Sequence, residues 1–395
     1  MRVVIAIDKF KGSMPARAAA AAIAAGLRSA WPEVAVEELP LSDGGEGFLD
    51  MLVQARGGTV VTVPVTGPLG EPVPARLGLL DDGVTAVVES AEACGLWRVP
   101  PGRADAWRAT SRGVGELILA ALEAGRRRIL VGIGGTASSD GGAGLARALG
   151  VRLLGPGGQE VADGACGLRN LARIDAGGLD PRIREAVITA ACDVSNPLTG
   201  PRGAAAVFGP QKGLAAGDVP VLDAALAGYA RLAQAAAPPL PGRTAGGGEP
   251  LAQRPGAGAG GGIGFALAAF AGAELVSGAR LALAETRALD HFRSAGLIIT
   301  GEGRLDASSL EGKLPVMVAR AAAELGVPVV AVCGHVALPE DRWREAGLAA
   351  AVSLAQGPAT VEELRRDARR LAQAAGYRIG ALLRLGAARG SLPPA

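Results

Sequence analysis

Only four of the 40 basic residues in this 395-residue chain are lysines, only two residues are histidine, and aromatic side chains make up 3%. The four cysteines, Cys94, Cys166, Cys192 and Cys333, show no CxxC spacing. Each scarcity removes a class of function. So few histidines and no paired cysteines leave no ligand set for a Cys/His zinc site, and the thiols are expected to stay reduced, as in the cytosol. A formal net charge of +2, with no basic run carrying interleaved aromatics, leaves no footprint for nucleic acid. No GxxxxGK[ST] occurs, so this is not a P-loop protein, and no GxSxG or histidine pair supports a nucleophilic hydrolase. His291 is expected to be structural or at the surface, and His335, just beyond a strand, stands between structure and site. The chain opens on an apolar strand rather than a secretory leader, which points to a cytoplasmic protein. One uncharged stretch, Pro255 to Ala273, is about long enough to span a bilayer. Its first half is nearly all glycine and alanine, so a loop feeding a helix is expected there, and no membrane partner.

The surviving lysines, Lys9, Lys11, Lys212 and Lys313, all sit in glycine-bearing loops: DKFKGS, GPQKG and LEGK. Arginine serves everywhere else, so lysine marks places that want a compact, movable ammonium rather than a planar fork. Lysine beside flexible backbone N–H groups is suited to holding phosphate oxygens. A single exposed lysine on a turn means little, but four in such loops point to phosphate chemistry.

Length favours two or three domains, and 49% hydrophobic residues give ample core. Residues 1–66 read as alternating strands and helices, starting with the apolar run Val3 to Ile7 of a strand buried on both faces. Ser13 lies near the cap of an Ala-rich helix that begins around Pro15. Thr59 to Val65, Val73 to Leu80 and Val84 to Glu89 are short β runs joined by turns, which suits antiparallel pairing. The last third returns to the opening style, with strands at Gly296 to Thr300, Val327 to Val332 and Ala349 to Leu354. The expected fold is α/β: a discontinuous, doubly wound parallel-sheet domain from residues 1–66 and 286–395, with a mixed α/β domain, 67–285, inserted. The Pro/Gly-rich stretch Ala236 to Gly262 is expected to be a long loop whose glycine-rich end serves as a binding loop or lid hinge.

Polar motifs follow the predicted strand ends. DKFKGS offers Lys9, Lys11 and Ser13; SDGGEG offers Asp43, Gly44, Gly45 and Glu46; GEGRLD offers Glu302, Arg304 and Asp306, with Lys313 close behind. Ligands of open parallel sheets bind beyond the carboxyl ends of the strands. Single Asp-Gly pairs are commonly turns, but their repetition along one edge favours a site. The segment GGTASSDGG supplies Gly134, Gly135, Thr136 and Asp140, and CDVSNPLTG supplies Asp193, Asn196 and Thr199. Asp193, at the end of an apolar strand, is suited to binding Mg²⁺ or acting as base; a turn cap is the structural alternative. PGAGAGGGIG, with Gly258 and Gly261, contains a GxGxxG without a preceding buried strand, so it suits a phosphate cover better than a dinucleotide fingerprint.

Taken in order, DKFKGS, LSDGGEG, GGTASSDGG, CDVSNPLTGPRGAA, FGPQKG, PGAGAGGGIGFAL and TGEGRLDASSLEGK resemble the signature run of type I glycerate kinases, the bacterial D-glycerate 2-kinase family, from Met1 to about residue 356. The resemblance implies ATP and Mg²⁺, D-glycerate as acceptor, 2-phosphoglycerate as product, and a two-domain fold with the active site in the cleft between the domains. Ser139 stands where the family pattern leads to Asn, and Ser308 where it leads to Gln. Phosphoryl transfer needs charge neutralisation, a placed metal and a carboxylate to receive the hydroxyl proton. Lys9, Asp43, Asp193 and Arg304 are the expected catalytic residues, with Arg304 gripping the glycerate carboxylate. Asp193 is the expected metal ligand, and Asp43, Glu46, Asp140 and Asp193 are the carboxylates available between metal and base. Lys212 joins the others as a substrate or nucleotide contact. A second copy of the chain, as a homodimer, is a further candidate partner. Two other readings are a nicotinamide-dependent oxidoreductase of hydroxy acids, resting on the GxGxxG, and a non-catalytic sensor of sugar phosphates or nucleotides.

Overall fold

The structure is a computed structural model that describes residues 1–238 and 250–388. In chain order the strands of its two large sheets are β1 (Arg2–Ile7), β2 (Ala35–Pro40), β3 (Gly58–Thr66), β4 (Pro72–Leu80), β5 (Thr85–Glu89), β6 (Arg128–Ile133), β7 (Val187–Cys192), β8 (Glu274–Ser277), β9 (Leu297–Thr300), β10 (Val329–Cys333) and β11 (Ala350–Ser353). The helices that matter for the site are α1 (Ala16–Ala30), α2 (Phe48–Arg56), α3 (Arg112–Glu123), α4 (Ala143–Ala148), α5 (Val219–Ala236), α6 (Ile263–Phe270), α7 (Leu314–Ala323) and α8 (Ala368–Ala388). The chain divides into two compact units, Met1–Asp43 with Ala279–Ala395, and Gly44–Gly278.

The first unit is built on a five-stranded sheet ordered β11-β10-β9-β1-β2, every pair parallel. Its order along the chain is therefore 2-1-3-4-5, with the reversal between β1 and β9, the place where open α/β sheets bind ligands. Val3, Val4, Ile5, Ala6 and Ile7 are all sealed from solvent, as a strand covered on both faces requires. Val3, Ile5 and Ile7 meet α1 and α8 on one face. Alternation along the strand turns Val4 and Ala6 to the opposite face, where α7 covers the sheet. The near absence of aromatics is put to use between α1 and α8. A Cβ on Gly26 would lie 2.0 Å from the Gln373 carbonyl oxygen, and one on Gly376 2.2 Å from that of Ile23. A side chain at either position would force the helices apart, an overpacking cost of about 1–3 kcal/mol. Ser13 does not cap α1, because Pro15 holds the cap position and no side chain bonds the first turn.

The second unit carries a six-stranded mixed sheet ordered β8-β7-β6-β5-β4-β3. The pairs β3–β4 and β4–β5 are antiparallel and the others parallel. β3 pairs with β4 over its whole length, from Gly58 opposite Leu80 to Thr66 opposite Pro72. Residues 44–66 thus belong with the second unit, and the boundary expected at residue 66 lies at residue 43. The second boundary falls after residue 278 rather than 285. The stretch Pro255 to Ala273 enters α6, whose eight residues are all buried. Among the described residues no helix is long and apolar enough to cross a membrane. Within the predicted long loop, residues 239–249 lie outside the described residues. Its glycine-rich end is packed rather than open: Gly256, Gly258 and Gly261 are buried, and Gly141 N–H bonds the Gly261 carbonyl at 2.9 Å. A lid hinge there is not what the structure shows. Among the described residues no strand leads into the GxGxxG either, which does not fit a dinucleotide fingerprint.

Candidate active site

Polar side chains of the first unit gather at the carboxyl ends of β1, β2, β9 and β10. Asp8 closes β1, with its N–H on the Gly301 carbonyl (3.3 Å) and its Oδ1 accepting from the Lys9 N–H at 2.6 Å. The chain then makes a small closed ring. Phe10 N–H bonds the Met14 carbonyl at 2.8 Å and Met14 N–H returns to Phe10 at 3.0 Å. Gly12, with φ of 70°, sits at the tip, where a side chain would be strained. Lys11 and Ser13 are exposed on this ring and Lys9 is half-buried. Asp43 follows β2 and is buried.

The loop after β9 is organised by two carboxylates in different states. Asp306 caps a short 3₁₀ turn, accepting from Ser308 Oγ at 2.6 Å, Ser308 N–H at 3.0 Å and Arg304 Nε at 3.2 Å. The Ser308 hydroxyl, its N–H, Lys313 and Arg304 hold its pKa below the ordinary value. Ser308 Oγ in turn accepts from Lys313 Nζ at 2.8 Å. The serine found where the family pattern has Gln thus links Lys313 to Asp306. Glu302 is the opposite case. Burial pushes its pKa up to about 7, opposed by a 2.6 Å hydrogen bond from Ser309 Oγ and by Lys313, and helped by Asp43 and Asp306. Arg304 is exposed, and among the described residues only its Nε is engaged. The 304–305 segment pairs in parallel with 335–336, which places His335 opposite Arg304 as an exposed backbone partner.

In the second unit three loops converge beyond β6 and β7. Gly44, at φ of 108°, passes so close to β7 that a Cβ would lie 2.7 Å from the Ala191 carbonyl. Cβ atoms on Gly132 and Gly134 would run into Gly44 and Gly45. Glu46 is exposed beside Gly135, and the α2 N-terminus behind it is capped by Glu89, whose Oε2 accepts from Gly47 and Leu49 N–H at 3.1 Å each. Asp193 is exposed directly after β7. Asn196 and Thr199 fasten their loop: Asn196 Nδ2 donates to the Arg202 carbonyl (2.7 Å), and Thr199 Oγ1 accepts from Gln253 (3.2 Å). Gly258 and Gly261 are needed for close packing, since Cβ atoms there would lie 2.2 Å from the Pro197 carbonyl and 2.0 Å from that of Ser138.

Two expected ligand contacts point inward instead. Asp140 is sealed, and its carboxylate accepts from Ser111 N–H and Oγ (2.9 Å each) and from Gly142 and Gly144 N–H (3.1 Å each). Burial raises its pKa, with those donors pulling the other way. It ties the glycine-rich loop to the start of α3 and has no oxygen to spare for a nucleotide. Lys212 is 3% exposed, and its Nζ donates to the Ser138 carbonyl at 2.6 Å and Thr136 Oγ1 at 3.3 Å. Burial lowers its pKa to about 8, with nearby Cys94 and Asp140 opposing. It braces the loop from within.

That placement has a testable consequence. The unfolded chain holds the Lys212 proton up to about pH 10.5 and the folded chain only to about 8, so stability rises with pH between the two. Removing the ammonium by Lys212→Met should abolish a gain on the order of 3 kcal/mol. In thermal melts the gap between wild type and variant should move toward the wild type from about pH 8 upward; a gap independent of pH would contradict the assignment.

Residues that the motif reading passed over do much of the positioning: Ser309 on Glu302, Ser111 on Asp140 and Glu89 on α2. Only Ser309 left a signal, as the third residue after the capping Asp306. The thiols of Cys94, Cys192 and Cys333 are pushed up to about 12 by burial, which leaves them unreactive. His291 makes a surface pair with Glu37 (Nδ1 to Oε1, 2.7 Å).

The sequence profile described as the glycerate kinase family matches residues 3–384. The chain is 42% identical to glycerate kinase of Bacillus subtilis (strain 168) over 363 residues, 92% of each chain. It is 41% identical to glycerate 2-kinase of Escherichia coli (strain K12) over 368 residues, 93% of this chain and 94% of that one. Its fold superposes with a TM-score of 0.80 on the crystal structure of a protein from Salmonella typhimurium LT2 assigned as glycerate kinase 2, at 41% identity, covering 98% and 99% of the two chains.

Proposed function

Because this chain belongs to the glycerate kinase family, and is an enzyme of that class, a phosphotransferase with an alcohol group as acceptor, we propose that it transfers the γ-phosphoryl group of ATP to the 2-hydroxyl of D-glycerate, giving 2-phospho-D-glycerate and ADP in the cytoplasm. The observation that carries this reading is the pairing of lysines and carboxylates on the loops beyond β1, β2 and β9, around the reversal in strand order. The first unit is then the discontinuous doubly wound domain of the fold, and the second the inserted mixed domain.

In this reading Lys9 and Lys11 neutralise anionic oxygens from the closed ring after β1. Lys313, held by Ser308, is a third cation on the same sheet edge. Arg304 has both terminal nitrogens without a hydrogen bond among the described residues, so it can take the glycerate carboxylate with two parallel bonds. Asp43 and Asp193 are the aspartates assigned to the chemical step, Asp193 as the metal ligand. Mg²⁺ is held by one or two carboxylates together with phosphate oxygens and water. Asp193, an exposed hard-oxygen donor at a strand end, fits that need. Bound there, Mg²⁺ would offset charge on the phosphate oxygens.

The test is ADP release by the purified protein with ATP and Mg²⁺. Release should depend on D-glycerate and should stop when Mg²⁺ is chelated. Release that ignores glycerate, or that persists in excess chelator, would overturn the reading.

A further inference from the structure

The proposed reaction needs a group to receive the acceptor hydroxyl's proton, and the sequence offers four carboxylates for that role without choosing among them. The structure narrows the field. Asp140 is sealed and fully bonded by its own loop. Asp193 is assigned to the metal, Glu46 is exposed beside Gly135, and buried Asp43 serves as one of the charges that act on a neighbouring carboxylate. A fifth carboxylate has the right construction.

Glu302 stands two residues past β9, beside the reversal in strand order, and is 9% exposed. Ser309 Oγ clamps one of its oxygens, Oε1, at 2.6 Å. Its other oxygen, Oε2, has no hydrogen-bond partner among the described residues and is not one of the atoms sealed from solvent. The side chain is therefore fixed at one oxygen and open at the other. Two carboxylates act on it, Asp43 after β2 and Asp306 in its own loop, while Asp8 at the end of β1 ties the strand beside it through its N–H on the Gly301 carbonyl. Lys313 is the cation that faces it, and Cys333, at the end of β10, stays neutral beside it. Crowding by like charge and burial both favour its protonated form, which is what a proton acceptor must reach in the transition state.

We propose that Glu302 is the general base: its free Oε2 takes the proton of the glycerate hydroxyl as that oxygen attacks. The bond from the hydroxyl oxygen to the γ-phosphorus forms while the bond from that phosphorus to the β–γ bridging oxygen breaks. ADP leaves with the bonding pair, and the proton passes from Glu302 to solvent after product release. This inference rests on the kinase reading above. A pKa of about 7 suits the role, since the base is largely ionised at neutral pH yet still draws a proton as the hydroxyl acidifies.

The test compares wild type, Glu302→Gln, Glu302→Asp and Ser309→Ala by glycerate-dependent ADP release across about pH 5 to 9. Wild-type kcat should rise with pH along a limb centred near 7 and then level off. Glu302→Gln should lose about 10²–10⁴-fold in kcat, with far smaller changes in KM, and should lose the limb. Glu302→Asp should recover part of the rate, and Ser309→Ala, lacking a donor to the carboxylate, should move the limb to higher pH. Thermal melts give a readout independent of activity. A folded pKa of about 7 against 4.5 means that wild type loses stability as pH rises through that window, so Glu302→Gln should gain on wild type between those values and keep the advantage above. An active wild type alongside a Glu302→Gln variant with unchanged kcat, or with the limb intact, would overturn the proposal alone. A wild type with no glycerate-dependent ADP release would overturn the kinase reading and this proposal together.

Discussion

Asp193→Asn is expected to lower kcat by about 10³-fold, the scale of removing a charged group that acts only as the transferring phosphoryl develops charge. The substitution keeps the shape of the side chain and removes its charge. Asp193 lies at the mouth of β7, exposed, one residue ahead of the Ser-Asn-Pro turn whose Asn196 side chain and carbonyl are both committed to the loop. The turn therefore has its own fastenings. Calorimetry should find ATP binding largely retained in the variant, because the lysines and backbone donors remain. If Asp193 served only as a turn cap, the variant would lose about 1 kcal/mol of stability and keep its kcat. The two outcomes separate cleanly in one melt and one rate measurement.

Lys9→Ala and Lys11→Ala should each cost about 10²-fold or more in kcat/KM, the loss of one cation at a phosphoryl-transfer centre. The ring formed by the two Phe10–Met14 hydrogen bonds fixes where these side chains start, so reach is set by side-chain length and shape. Lys→Arg at either position should therefore also be damaging, since a guanidinium is planar and longer. Steady-state kinetics of the four variants decides the matter. Wild-type kcat/KM in both arginine variants would remove the argument that the scarcity of lysine marks phosphate-handling positions.

That argument misread Lys212, for a physical reason. Lys11 is exposed and Lys313 lies beside the acidic loop, as the glycine-bearing contexts suggested. Lys212 shares the same local context yet is sealed against Ser138 and Thr136. A buried ammonium that must fit between a carbonyl and a hydroxyl excludes arginine as firmly as a phosphate site does, and nothing in GPQKG tells the two apart. Asp140 was misread in the same way, because the donors that satisfy it come partly from Ser111, remote in sequence.

The strands were legible where burial on both faces writes a continuous apolar run, as in Val3 to Ile7. The boundary at residue 66 was not, because alternation along Thr59 to Val65 shows a strand without showing its partner, and that partner, β4, lies in the second unit. Glu302 was read as a ligand contact from its motif alone. Its clamp by Ser309 lies within its own loop, but its crowding by Asp43 depends on the loops after β2 and β9 meeting at one sheet edge, which only the fold supplies.

The central claim, phosphoryl transfer from ATP to the 2-hydroxyl of D-glycerate, is tested most directly by phosphorus NMR of the product mixture without proton decoupling. A phosphate on carbon 2 couples to a single carbon-bound proton and one on carbon 3 to a pair. The account predicts ADP and a new phosphomonoester doublet growing in equal amounts. A triplet would place the phosphate on the other hydroxyl and contradict the stated product, and the absence of any glycerate-dependent phosphomonoester would contradict the account as a whole.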